Sequence, residues 1–157
     1  MTPSQLAYRD ILLKTKRGNS HGIFSNAKPI FVITLIDAIQ EGLIIGNRID
    51  FKNKDIENLY IDNYRRISSS NDELFRVNAK VTPYNLPFFH LNAESYYHIK
   101  WKEGVVPPKQ SQSPSNRYLK EHVDYTYLDS KLWNMLQSPE IRYDFRKALV
   151  ERFIKSE

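Results

Sequence analysis

Hydrophobic positions in this chain fall into stretches with helical spacing, separated by polar breaks marked by glycine or proline. The strongest stretch is residues 29–39, where Ile30, Phe31, Val32, Ile33, Leu35, Ile36, Ala38 and Ile39 leave almost no polar face before Gly42. A helix that is apolar nearly all round is a buried one; proline suits its first turn and glycine its left-handed stop. Residues 4–16 carry Leu6, Ile11, Leu12 and Leu13 among polar residues after Pro3, which predicts a short amphipathic helix. Residues 55–67 return to the same spacing through Ile56, Leu59, Tyr60 and Tyr64, with Asn53 placed as a cap. A last helix is expected after Ser138 and Pro139, with Ile141, Phe145 and Leu149 on one stripe.

Between these helices the pattern changes. Residues 15–27 read as an exposed loop, with Gly18, Asn19, Ser20, Gly22, Ser25 and Asn26 supplying turn chemistry and Lys16, Arg17 and His21 supplying charge. Residues 43–51 read as short extended pieces around a Gly46-Asn47 turn, and 74–77 as another extended piece after a polar break. Residues 88–91 and 96–101 read as two strands of a β-hairpin joined by Asn92-Ala93-Glu94-Ser95. Residues 104–115, with Pro107, Pro108 and Pro114, read as a linker; helical pieces follow at 116–123 and 128–136. The predicted fold class is α+β, mostly α-helical, with a winged-helix-like core, a small β-hairpin and a C-terminal helical segment. The division is a body at 1–103, a linker at 104–115, and a segment at 116–157 packed on the same domain.

The chain's 157 residues, 41% of them hydrophobic, suffice for one core. The absence of cysteine removes disulfides and thiolate metal sites. No stretch has the plan of a signal peptide, and the apolar run at residues 30–36 is interrupted by Thr34 and too short to span a bilayer, so no membrane association and a cytoplasmic location are expected. A net charge of +5 suits an anionic partner, and its distribution sharpens the point. Arg9, Lys14, Lys16, Arg17 and Lys28 face only Asp10 within residues 1–28, while Lys100, Lys102, Lys109, Arg117 and Lys120 face only Glu103 within residues 98–120.

Catalytic signatures are sparse. The four histidines lack metal-site spacing, and no Walker loop, dinucleotide-binding glycine motif or nucleophile elbow is present, so no cofactor, metal or catalytic residue is expected. Two alternatives remain open at this stage. One is a small Mg²⁺-dependent nuclease, if acids such as Asp50, Asp62 and Glu94 converge in space. The other is a protein-interaction domain whose aromatic hairpin, with Tyr96, Tyr97 and Trp101, binds a partner chain. Those same aromatics suit base stacking or the packing of a sheet against a helix. Lys28 stands before a helix start, where free backbone N–H groups attract phosphate.

Three landmarks then fall in a telling order: Lys28-Pro29-Ile30-Phe31-Val32-Ile33, Leu86-Pro87-Phe88-Phe89-His90-Leu91 followed by Tyr96-Tyr97-His98-Ile99, and Ser113-Pro114-Ser115-Asn116-Arg117-Tyr118-Leu119. With Leu128 through Leu136 they resemble the sulfur-binding domain, a module that recognises phosphorothioate-modified DNA and usually precedes an HNH nuclease in modification-dependent restriction enzymes. The resemblance runs from about Leu6 to Ile154. It implies a DNA-recognition body and a shallow apolar pocket for sulfur formed by Leu86, Pro87, Phe88 and His90, Leu86 standing where the family usually has tyrosine. It also implies DNA phosphate or base contacts from Lys16, Arg17, His21, Lys28 and Arg117. Sulfur in place of a non-bridging oxygen is larger, softer and less hydrated, so an apolar wall favours it without loss of the phosphate charge. The implied partners are phosphorothioated double-stranded DNA and a nuclease domain or subunit in a bacterial defence system. Cleavage is not expected of this chain, which lacks the HNH constellation.

Overall fold

The computed structural model describes residues 1–20, 23–67 and 80–154. At its centre lies α2 (Ala27–Gln40), eleven of whose fourteen residues are buried, as its unbroken apolar pattern predicts. Gly42 follows in the left-handed conformation, φ +75°, that ends such a helix without steric cost. The few polar residues of α2 tie its neighbours to it. Buried Asn63, on α3 (Lys54–Ile67), donates to Thr34 at 3.3 Å and to Asp37 at 3.0 Å. Arg146, on α7 (Pro139–Leu149), grips the same Asp37 carboxylate at 2.6 and 3.1 Å.

Local caps set the helix starts as the sequence foretells. Asn53 Oδ1 accepts from the N–H groups of Asp55 and Ile56, and Ser138 accepts from Ile141. At α1 (Pro3–Leu13), Thr2 and Gln5 complete a reciprocal capping box ahead of a proline at the first position. α1 packs against α7 and is fastened by Arg9 to Asp144 and by Tyr8 to Asp129.

Two antiparallel two-stranded ladders complete the fold, and both depart from expectation. Residues 15–27 are not a plain loop: β1 (Gly18–Ser20) pairs with β2 (Ile23–Ser25). The expected hairpin of residues 88–91 and 96–101 does not form. Asn85 to His90 is a helix, α4, followed by a 3₁₀ turn at Leu91–Ala93. A short apolar run cannot be told from a strand by periodicity alone, and Pro87 sits at the third helical position, where its missing N–H costs nothing. The strand β3 (Tyr97–Trp101) instead pairs with β4 (Val123–Leu128), from Tyr97↔Leu128 to Trp101↔Val123, with a bulge between Lys100 and Trp101. β4 lies where the sequence reading ran one helical piece toward the next. Those pieces are α5 (Asn116–His122) and α6 (Ser130–Met135), one on either side of it.

The class is therefore α+β and mostly helical, and its main sheet joins β3 and β4 across residues 104–115 and α5. That proline-rich stretch holds neither helix nor strand. The extended reading at 74–77 lies outside the described residues. The core is densely aromatic: the Phe31 ring lies within 6.4 Å, centroid to centroid, of Tyr60, Tyr84, Phe88 and Tyr97, and Phe51 stacks on Tyr84. Such pairs add about 0.5–1.5 kcal/mol each beyond area burial. No helix among the described residues is long and apolar enough to cross a membrane.

Candidate nucleic-acid interface

The short helix α4 splits the predicted pocket residues into two kinds. Pro87 and Phe88 are buried, as is Phe89, while Leu86 and His90 are half-buried and present surface. Phe88 belongs to the core outright, its ring against Phe31 and Phe51 and its carbonyl accepting the Tyr97 hydroxyl at 2.6 Å. Pro87 and Phe88 thus lie beneath the surface that Leu86 and His90 present.

His90 is the best-held side chain at that surface. Gln110 Nε2 donates to the His90 carbonyl at 3.1 Å and to ring Nδ1 at 3.3 Å, and Asn92 Nδ2 donates to Gln110 Oε1 at 2.8 Å, which sets the amide's orientation. With Nδ1 accepting, Nε2 carries the proton and donates to Ser113 Oγ at 3.1 Å. Burial, and then the positive charge of nearby Lys28, lower the imidazole's pKa below its ordinary value. His90 therefore faces outward as a neutral ring, laced to residues 110–113.

The same stretch is anchored farther along. Asn85 Nδ2 donates to the Pro114 carbonyl at 3.1 Å, which sets the start of α5 beside the start of α4, and Ser115 caps α5 by accepting from Tyr118. Between Val106–Lys109 and Gln112–Ser115 lies an open groove of about 570 Å³, lined also by Tyr118. Its mixed apolar and polar lining adjoins the Ser113 hydroxyl that His90 engages.

The predicted cations are placed unequally. Lys28 lies in the first turn of α2, but its ammonium is 2.8 Å from Glu94, with side chains only 12% and 13% exposed. Its charge is spent largely within the protein. Glu94 also receives the Lys16 backbone N–H at 3.5 Å, leaving the exposed Lys16 beside that pair. Arg17 donates to the buried Asn26 at 3.0 Å, and Asn26 donates in turn to the Phe153 carbonyl. Arg117 is 89% exposed, paired only at the surface with Glu121 one turn on. His21 lies outside the described residues. The structure thus brings Lys28 and the Lys16 backbone to Glu94, sets Lys28 near His90, and places Arg117 just past the anchored Pro114.

Read along the sequence, Ser113 belongs to the Ser-Pro-Ser landmark, Asn92 to a hairpin connection and Gln110 to a linker, and nothing there signals that the three hold His90. Isolated polar residues in a proline-rich stretch carry no periodic signal; their role exists only once the stretch folds back onto α4. Of the two readings open for Tyr96 and Tyr97, base stacking and packing of the sheet, the structure shows packing: both are buried, with the Tyr96 hydroxyl bonded to Thr15 at 2.6 Å and Trp101 edge-on to Phe89. Of the acids weighed for a nuclease centre, Glu94 is committed to Lys28 and Asp50 accepts the N–H of Lys52. No cluster of three or more His, Cys, Asp or Glu suited to a metal occurs among the described residues.

No known family model matches the chain, and no curated protein matches it.

Proposed function

We propose that this chain is a DNA-binding specificity module that reads phosphorothioate or otherwise modified duplex DNA, the reader part of a restriction endonuclease whose cutting is done elsewhere. The observation that carries the reading is the surface end of α4, where a half-exposed leucine and a neutral, doubly tethered imidazole stand together beside cationic segments. Leu86 offers an apolar contact for a soft, weakly hydrated sulfur, and neutral His90 adds polarisable surface without a like charge competing for the phosphate oxygens. Pro87 and Phe88 serve as the rigid support beneath, so the contact surface is narrower than the four residues the resemblance implies.

Lys16, Lys109 and Arg117, all exposed, are the cations proposed to meet the DNA backbone and base edges, Arg117 by exchanging its surface pair with Glu121. Arginine in a groove discriminates guanine by roughly 1–3 kcal/mol through a bidentate contact, whereas the lysines supply salt-dependent affinity for any duplex. Lys28 contributes at one remove, by holding Glu94 and keeping His90 neutral.

The test is fluorescence anisotropy with matched duplexes, one phosphorothioated and one not, in several sequence contexts at two salt concentrations. The reading expects tighter binding to the modified duplex, a preference lost in His90→Ala, and weaker binding to all duplexes alike in Lys16→Gln. Equal affinity for both duplexes in every context would sink the sulfur assignment, and absence of salt-sensitive binding to any duplex would sink the DNA assignment as well.

A further inference from the structure

The sheet that buries Tyr97 against α4 has a second face. Along a strand side chains alternate, so the inward pair Tyr97↔Leu128 leaves His98↔Tyr127 and Lys100↔Tyr125 pointing the other way. There His98 and Lys100 are exposed and both tyrosines half-buried. The His98 and Tyr127 rings lie 5.2 Å apart at 37°, and those of Tyr127 and Tyr125 6.0 Å apart at 57°. The Arg48 guanidinium lies 4.2 Å from the centre of the Tyr125 ring.

Arg48 is held there by its neighbours. Ile49 exchanges two backbone hydrogen bonds with Thr126, at 2.8 and 2.9 Å. The Asn47 side chain accepts from the Leu128 N–H at 2.8 Å and donates to the Leu128 carbonyl at 2.7 Å. Four planar groups, Arg48, Tyr125, Tyr127 and His98, therefore form a row across the outer face. Beside them, neither Arg48 nor Lys100 forms an ion pair with a described residue. The acid on that stretch of β4 is Asp124, also exposed.

We infer that this face is a stacking platform for the unpaired bases of a single-stranded nucleic acid. Planar rings accept any base on their faces, a guanidinium over an aromatic offers its own outer plane, and two uncompensated cations suit the phosphates that accompany the bases. An aromatic row kept only to stabilise the sheet would not need free cations alongside it. The platform lies on the side of the sheet away from α4, so it is independent of the duplex-reading surface proposed above and goes beyond it.

Binding of the whole chain to a fluorescein-labelled oligothymidylate and to an abasic strand of equal length separates base stacking from phosphate attraction. The expected result is binding of the oligothymidylate at least about ten-fold tighter. Replacing Tyr125 and Tyr127 together by leucine, which keeps apolar cover on the strand, should abolish that difference, while Tyr127→Phe retains it. Lys100→Gln should weaken both strands and flatten the salt dependence. Preference for modified duplex in the double leucine variant should be unchanged, which also certifies its fold. If that duplex preference is absent from the parent chain, far-ultraviolet circular dichroism certifies the fold instead. Equal affinity for the two strands, binding of neither, or an unaltered preference in the double variant overturns the assignment. So does a dimer that dissociates when the tyrosines are replaced, which would give the face to a second copy of the chain.

Discussion

The Lys28–Glu94 pair shows how much a single residue's meaning depends on a contact the chain order hides. Read along the sequence, Lys28 is a cation at a helix start and Glu94 a loop acid; folded, they are a largely enclosed ion pair 2.8 Å apart. An enclosed charge left without its partner is strongly unfavourable, so Glu94→Ala should lower stability by about 3 kcal/mol. Replacing the pair together, Lys28→Met with Glu94→Leu, should recover most of that loss, because both desolvation costs vanish with the charges. Urea unfolding of the three variants measures this; equal losses in single and double variants would place the pair's importance elsewhere. His90 makes the same point. Its place in the Pro-Phe-Phe-His run was legible, but the run reads as a strand and folds as the helix α4, and its neutrality follows from burial and then from Lys28.

Among elements, the helices and the strands differ in how far their determinants reach. α1, α3 and α7 each carry a cap within three residues of the groups it satisfies, and α2 carries its burial in its own composition. β4 is different. Its sequence, Val-Asp-Tyr-Thr-Tyr-Leu, has the β-branched and aromatic content of a strand, but flanking helical spacing obscures it. What holds it is β3 on one side and, on the other, the short clamp of Asn47 and Ile49. Removing the clamp's side chain in Asn47→Ala strands both backbone groups of Leu128. The expected cost is about 2 kcal/mol, with faster amide exchange at Leu128 than in the parent. An unchanged Leu128 exchange rate would mean that β3 alone secures the strand.

At the scale of the whole molecule, the core's dependence on aromatic residues makes its stability sensitive to alkali. Burial pushes the Tyr84, Tyr96 and Tyr97 hydroxyls well above their ordinary value, and hydrogen bonding to Asp129 raises Tyr8 to about 12. These phenols keep their protons in the folded state while the unfolded chain loses them near pH 10, so their contribution is full below pH 10 and declines as pH rises through 12 and beyond. Tyrosinate absorbance followed with far-ultraviolet circular dichroism should show the three core phenols ionising only as ellipticity collapses. Ionisation of all phenols with the fold intact would contradict the enclosure described.

By itself, then, the sequence determined the mostly helical class, the buried central helix, the caps and the left-handed stop at Gly42, because each depends on residues within about one helical turn. It also determined the excess of positive charge in two segments, since composition needs no fold. Only the tertiary structure decided which aromatics are core and which are surface: Tyr96 and Tyr97, whose residue types suit base stacking and sheet packing alike, are enclosed, while Tyr125 and Tyr127 stand on the outer face of a sheet whose strands are separated by a proline-rich stretch and a helix. Only it decided that Lys28 is ion-paired with Glu94 and that His90 is held neutral at the surface. The physical reason is common to all of these: burial, ion pairing and strand partnership are relations between residues distant in the chain, and local propensity carries no record of the other member.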